Sequence, residues 1–82
     1  MERKELLERI TVNPKIMVGK PVIKGTRLTV QFILNLLAND AEIKEIIEEY
    51  PNLVKDDILA CLVYASETLE NTTFMPIIEE AT

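Results

Sequence analysis

The chain has 82 residues, 48% of them apolar, a net charge of −5, a single cysteine and no histidine. This length makes one small domain; a chain of about 60 residues buries only ~60% of the surface it exposes when unfolded, so apolar content this high points to self-association. A lone cysteine excludes an internal disulfide and fits a reducing cytoplasm, no apolar run reaches the ~20 residues of a membrane span, and the N-terminus lacks the apolar core of a signal peptide.

The charge is unevenly placed. Residues 1–28 carry seven Lys/Arg against three Glu, and residues 29–82 carry two Lys against eleven Asp/Glu. A polyanion is therefore expected to meet the first third of the chain, and a basic partner the remainder.

Residues 2–9 have the composition of two helical turns, with Glu5 and Arg9 at the favourable i,i+4 spacing. Ile10, Thr11 and Val12 alternate as a strand does, and Asn13-Pro14 supplies a turn. Ile16, Met17 and Val18 form another short apolar run before Gly19. Val22-Ile23 reads as a strand, with Pro21 tolerated at its first position. Gly25 marks a turn, after which Thr26, Arg27 and Leu28 resume an extended path. Two or three short strands are thus expected between residues 10 and 28. They are too few to stand alone, and must pair with another copy or lie against helices.

Thr29 is placed to cap a helix over Val30–Ala38 through its hydroxyl. Val30, Ile33, Leu34 and Leu37 form one apolar stripe there, Phe32 and Leu36 a second, and Gln31, Asn35 and Asn39 a narrow polar face. A helix apolar nearly all round is covered nearly all round, which in so short a chain implies a second subunit. Ile43, Ile46, Ile47 and Tyr50 then form a one-sided stripe opposite Glu42, Lys44, Glu45, Glu48 and Glu49, ended by Pro51. A last helix is expected over residues 55–69, with Ile58, Leu62, Ala65 and Leu69 facing the core, Leu59 and Val63 beside them, and Asp56 and Asp57 at its positive end. The pair 43–50 and 55–69 has helix-turn-helix proportions. The domain proper is expected over residues 10–69, after a leader of residues 1–9 and before a tail of residues 70–82.

No enzyme emerges. Histidine, the commonest general base, is absent from the sequence. Cys61 falls between core positions and reads as packing, and Glu45, Glu48 and Glu49 read as a solvated face. No Gly-Lys-Ser/Thr follows Gly19 or Gly25, so there is no phosphate-cradling loop. No catalytic residue, metal or cofactor is expected.

Gly19-Lys20-Pro21-Val22-Ile23-Lys24-Gly25-Thr26-Arg27 before an apolar helix, with Ile46-Ile47-Glu48-Glu49-Tyr50-Pro51-Asn52-Leu53 later, resembles the prokaryotic family called domain of unknown function 433. Asp57-Ile58 and Tyr64-Ala65 add to the likeness, which covers about residues 10–66. It implies a mainly α fold: a homeodomain-like three-helix, helix-turn-helix domain preceded by short β-strands and assembled as a homodimer. Family members look like VapB-type antitoxins, which implies the antitoxin of a type II toxin–antitoxin module that neutralises a PIN-like toxin and binds operator DNA. The chain departs from the family pattern at two glycine positions, occupied here by Val18 and Asp40. Glu42 and Val54 stand where small hydroxyl residues commonly cap helices.

The polar side chains available to DNA are Lys20, Lys24, Arg27, Gln31, Lys44 and Lys55, with Lys15 near the first of them. Two features oppose that role. Asp56 and Asp57 would repel phosphate at the start of the last helix, and Arg27 has an alternative use in tying the strand region to helix carboxylates. In the tail, Phe74, Met75, Ile77 and Ile78 form an apolar strip flanked by Glu70, Glu79 and Glu80, suited either to a basic protein partner or to folding back on the chain's own dimer. A structural dimerisation or adaptor module without nucleic acid stands as the alternative function.

Overall fold

The path changes from strand to helix at Thr29, and the rest of the domain is arranged about that point. In the computed structural model, which describes residues 2–71, Thr29 has extended geometry (φ −77°, ψ 153°) and its hydroxyl accepts a hydrogen bond of 3.0 Å from the Phe32 amide. The capped helix, α2, covers Val30–Ala38. Before it come a short helix α1 (Arg3–Leu7) and two strands, β1 (Ile10–Val12) and β2 (Pro21–Ile23); after it come α3 (Ile43–Glu49) and α4 (Lys55–Glu70). The domain is mainly helical, with one two-stranded antiparallel sheet.

The strands pair with each other, placing Ile10 opposite Ile23, Thr11 opposite Val22 and Val12 opposite Pro21. Pro21, which has no amide to donate, sits at the strand start, where a missing donor is tolerated. Gly25 supplies the positive φ of 82° that the next turn needs. Thr26 secures that turn by donating its hydroxyl to the Ile23 carbonyl at 2.8 Å and accepting from the Leu28 amide at 3.0 Å. An isolated bridge from Val22 to Thr29 then ties the sheet to the helix cap.

The core is built from Ile23, Val30, Ile33, Ile46, Leu53, Ile58 and Cys61. Burying an aliphatic side chain of this size contributes roughly 1.5–3 kcal/mol, so this cluster holds β2 and the three later helices together. Leu53, in the connection between α3 and α4, is only 1% exposed, so the connection is itself anchored. Leu6 of α1 is buried and α1 packs on α4; an Arg3–Glu67 ion pair of 3.3 Å joins the two helices at the surface.

The structure decides two open sequence expectations and corrects a third. No strand forms over residues 16–18; Met17–Gly19 instead makes a single tight turn in which Met17, Val18 and Gly19 all have positive φ. The two strands pair with each other and lie against α2 and α4, the second of the two arrangements expected for them. The buried face of α4 is Asp57, Ile58, Ala60 and Cys61, whereas Leu62 and Leu69 are 42% and 65% exposed. The physical reason is that Ile58 and Cys61, three apart, are the α4 residues that meet Val30, Ile33 and Ile46 in the core cluster, whereas Leu62, four past Ile58, falls outside it. No helix among the described residues is long and apolar enough to cross a membrane.

Candidate nucleic-acid and partner interface

Helices α3 and α4 are joined by residues 50–54, and each opens on a carboxylate rather than a hydroxyl cap. The Glu42 amide donates to Glu45 Oε1 at 2.8 Å, and the Val54 amide donates to Asp57 Oδ2 at 2.9 Å. Each is the acidic half of a capping box, in which a side chain three residues into the helix reaches back to the cap amide. These bonds stand where the resemblance leads one to expect hydroxyl caps.

Asp57 makes a second contact. Its Oδ1 accepts from Arg9 Nη1 at 3.1 Å, while Arg9 Nη2 lies 3.8 Å from Asp56 Oδ2. One guanidinium thus engages both carboxylates at the start of α4, and Asp57 is only 7% exposed. The repulsion these two acids would offer to phosphate is correspondingly reduced. The arginine that ties the strand region to helix carboxylates is Arg9; Arg27 is exposed. Cys61, one turn along α4 from Asp57, is buried, and desolvation together with the Asp57 charge pushes its thiol up to about 12. A thiol held protonated in this way is a packing group and a poor nucleophile.

The six side chains expected to face DNA fall on separate surfaces. Lys44 and Lys55 share a groove of about 720 Å³ whose floor is Leu37, Ala41, Ile43 and Ile47 and whose rim also carries Glu42 and Glu48. Lys20 and Gln31 flank a second groove of about 410 Å³, floored by Val30, Leu34, Ala65 and Leu69. Lys24 lines a polar hollow together with Glu5, Glu8, Arg9 and Asp57. Arg27 lines none of these three surfaces. Phe74, Met75, Ile77 and Ile78 lie outside the described residues. Sequence reading missed Arg9, whose partner is 48 positions away and leaves no local trace. For Asp57 a signal did exist, since it stands three residues past the Val54 cap.

The family model described as Protein of unknown function (DUF433) matches residues 10–65. A solved DUF433 member protein from Anabaena variabilis has a similar fold, with a TM-score of 0.73 and 27% identity over 82% of this chain and 66% of that one. The chain therefore spans 66% of the length of that solved relative. A protein of Archaeoglobus fulgidus, described only as uncharacterized, is 67% identical over 24 residues, which is 29% of this chain and 67% of that protein. With the matched segment running from the first strand well into the last helix, the chain belongs to DUF433, a family of unknown function.

Proposed function

We propose that this DUF433 protein is a non-enzymatic regulator: the antitoxin of a type II module, which binds operator DNA as a homodimer and neutralises a PIN-like toxin. The observation that carries the DNA half is the meeting of Lys44 and Lys55, from different helices, in one groove. Lysines supply the phosphate contacts that dominate affinity for DNA, and two copies of the chain would double them. The order α2, α3, α4, with a short anchored connection before α4, supports reading these helices as a homeodomain-like helix-turn-helix. The engagement of Asp56 and Asp57 by Arg9 supports it further, because it lowers the local barrier to a polyanion. The toxin half draws on the family resemblance and on the acid-rich residues 29–82, which suit a basic nuclease surface.

A second reading, an adaptor or dimerisation module without nucleic acid, is favoured by the apolar floor and the two glutamates of the same groove. A transcriptional reporter driven by the DNA upstream of the chain's own gene separates the two. Repression that is relieved by Lys44→Glu and Lys55→Glu supports the operator role. A reporter indifferent to the wild-type chain, with and without the adjacent gene product, leaves the adaptor reading.

A further inference from the structure

Helix α4 ends beside an apolar groove. Its C-cap and the last described residue is Asn71, whose side-chain amide donates to the Glu67 carbonyl at 2.8 Å. Ala65 and Leu69, in the turns just before it, line the groove of about 410 Å³ together with Val30 and Leu34 of α2. Ile58, Leu62, Ala65 and Leu69 form an apolar stripe at helical spacing, and a stripe of that kind marks a face that is covered. Yet among the described residues Leu69 is left 65% exposed.

The sequence past Asn71 runs Thr72-Thr73-Phe74-Met75-Pro76-Ile77-Ile78-Glu79-Glu80, so Phe74 follows Leu69 by only five residues. A segment tethered this closely is presented to the groove at an effective concentration of about millimolar. The lengths also match. Ala65 lies about 9 Å back along the helix axis from Asn71, at ~1.5 Å per residue. Phe74 to Ile78 lie roughly 10–23 Å of extended chain beyond Asn71, at ~3.3 Å per residue. Pro76 brings no amide that an apolar groove would leave unpaired, and it biases Met75 toward an extended path.

A second groove, of about 500 Å³, also adjoins this end of α4, and charge selects between the two. It is lined by Glu67 and Asn71 as well as by Leu7 and Ile10. The first groove carries Lys20 and, among the described residues, no carboxylate. Residues 72–82 include Glu79 and Glu80 and no Lys or Arg, which suits the first. Gln31 on the same groove offers both a donor and an acceptor to an extended backbone.

We propose that residues 74–78 turn back along α4 and seat in the α2–α4 groove of their own chain, covering Leu69, with Glu79 and Glu80 in reach of Lys20. The seated tail shields Lys20 and Gln31, and a protein that takes Phe74–Ile78 as its ligand must first lift it from α4. Neither DNA nor a toxin is needed for this contact, so its absence would leave the proposed function untouched.

NMR on the full chain reads the contact directly. The Phe74 ring should show NOEs to the methyl groups of Leu34, Ala65 or Leu69. Isotope-filtered spectra of mixed labelled and unlabelled chains should show none of these between chains. Leu69→Gln keeps helix propensity nearly constant, so it reports on burial. Leu69→Gln and Phe74→Gln should each lower the melting temperature by roughly 4–8 °C. The double variant should fall little further, because both changes remove one contact. Melting unchanged in either variant, losses that add, no NOE from Phe74 to the groove, or NOEs only between chains would each overturn the proposal.

Discussion

Replacing Asp57 with alanine tests how the strand region and the last helix are joined. Two interactions are lost at once: the 2.9 Å bond from the Val54 amide and the 3.1 Å bond from Arg9. Loss of a helix cap costs about 1 kcal/mol, and a hydrogen bond to a charged group contributes roughly 1.5–3 kcal/mol. The Arg9 side chain is 34% exposed, so water screens the pair and the lower end of that range applies. The sum is ~2–3 kcal/mol. For a domain of this size each kcal/mol shifts the melting point by about 4–8 °C, so Asp57→Ala should melt roughly 10–20 °C lower. Asp57→Asn keeps an acceptor for the Val54 amide and should lose about half as much. Urea unfolding of Asp57→Asn, Arg9→Met and the double variant forms a cycle, expected to give a coupling of about 1 kcal/mol for residues in direct contact. Single-variant losses that simply add would mean that the guanidinium is not engaged, and the account of the α4 start would be wrong.

Three further outcomes follow from particular residues. Val18→Gly should stabilise the isolated domain by roughly 0.5–1 kcal/mol in urea unfolding at low concentration, because the left-handed cost of ~1–2 kcal/mol exceeds the added chain entropy and an exposed side chain gives up no packing. Thr29→Ala removes the hydroxyl that accepts from Phe32 and should cost about 1 kcal/mol by the same assay. The Cys61 thiol titrates near 12 in the folded chain against 9.0 when unperturbed. Above about pH 9 the unfolded state therefore releases its proton first, and stability should fall as pH rises through that window, with Cys61→Ala removing this component.

The helices were legible because each is marked locally. Thr29 caps one, Pro51 ends another, and Asp56 and Asp57 announce the third; the observed limits of α2 coincide with the expected Val30–Ala38. The turn at Gly25 was equally readable. Val18 and Asp40, which stand where the resemblance leads one to expect glycine, have positive φ of 56° and 71°, the geometry that glycine adopts most readily. Asp40 bears this with little cost, since short polar side chains tolerate the left-handed region, whereas Val18 does not. The face of α4 was not legible: Leu62 and Leu69 have the spacing of core residues, and only the packing of α1 and α2 decides against them. The candidate site was legible as a set of residue types but not as a place. Lys44 and Lys55 line one groove and Lys20 and Gln31 another, while Lys24 lines a hollow that also holds Glu5 and Glu8. Contacts between residues distant in the chain, such as Arg9 with Asp57, follow from the fold alone.

The central claim, that the groove shared by Lys44 and Lys55 meets phosphate, is tested most directly by titrating the full chain against its upstream DNA at several salt concentrations. The wild-type affinity should fall steeply with salt, and Lys44→Gln with Lys55→Gln should flatten log K against log salt by about 2 per copy, near one for each phosphate contact removed. An identical slope in the wild type and the double variant would contradict it, as would the absence of binding at low salt.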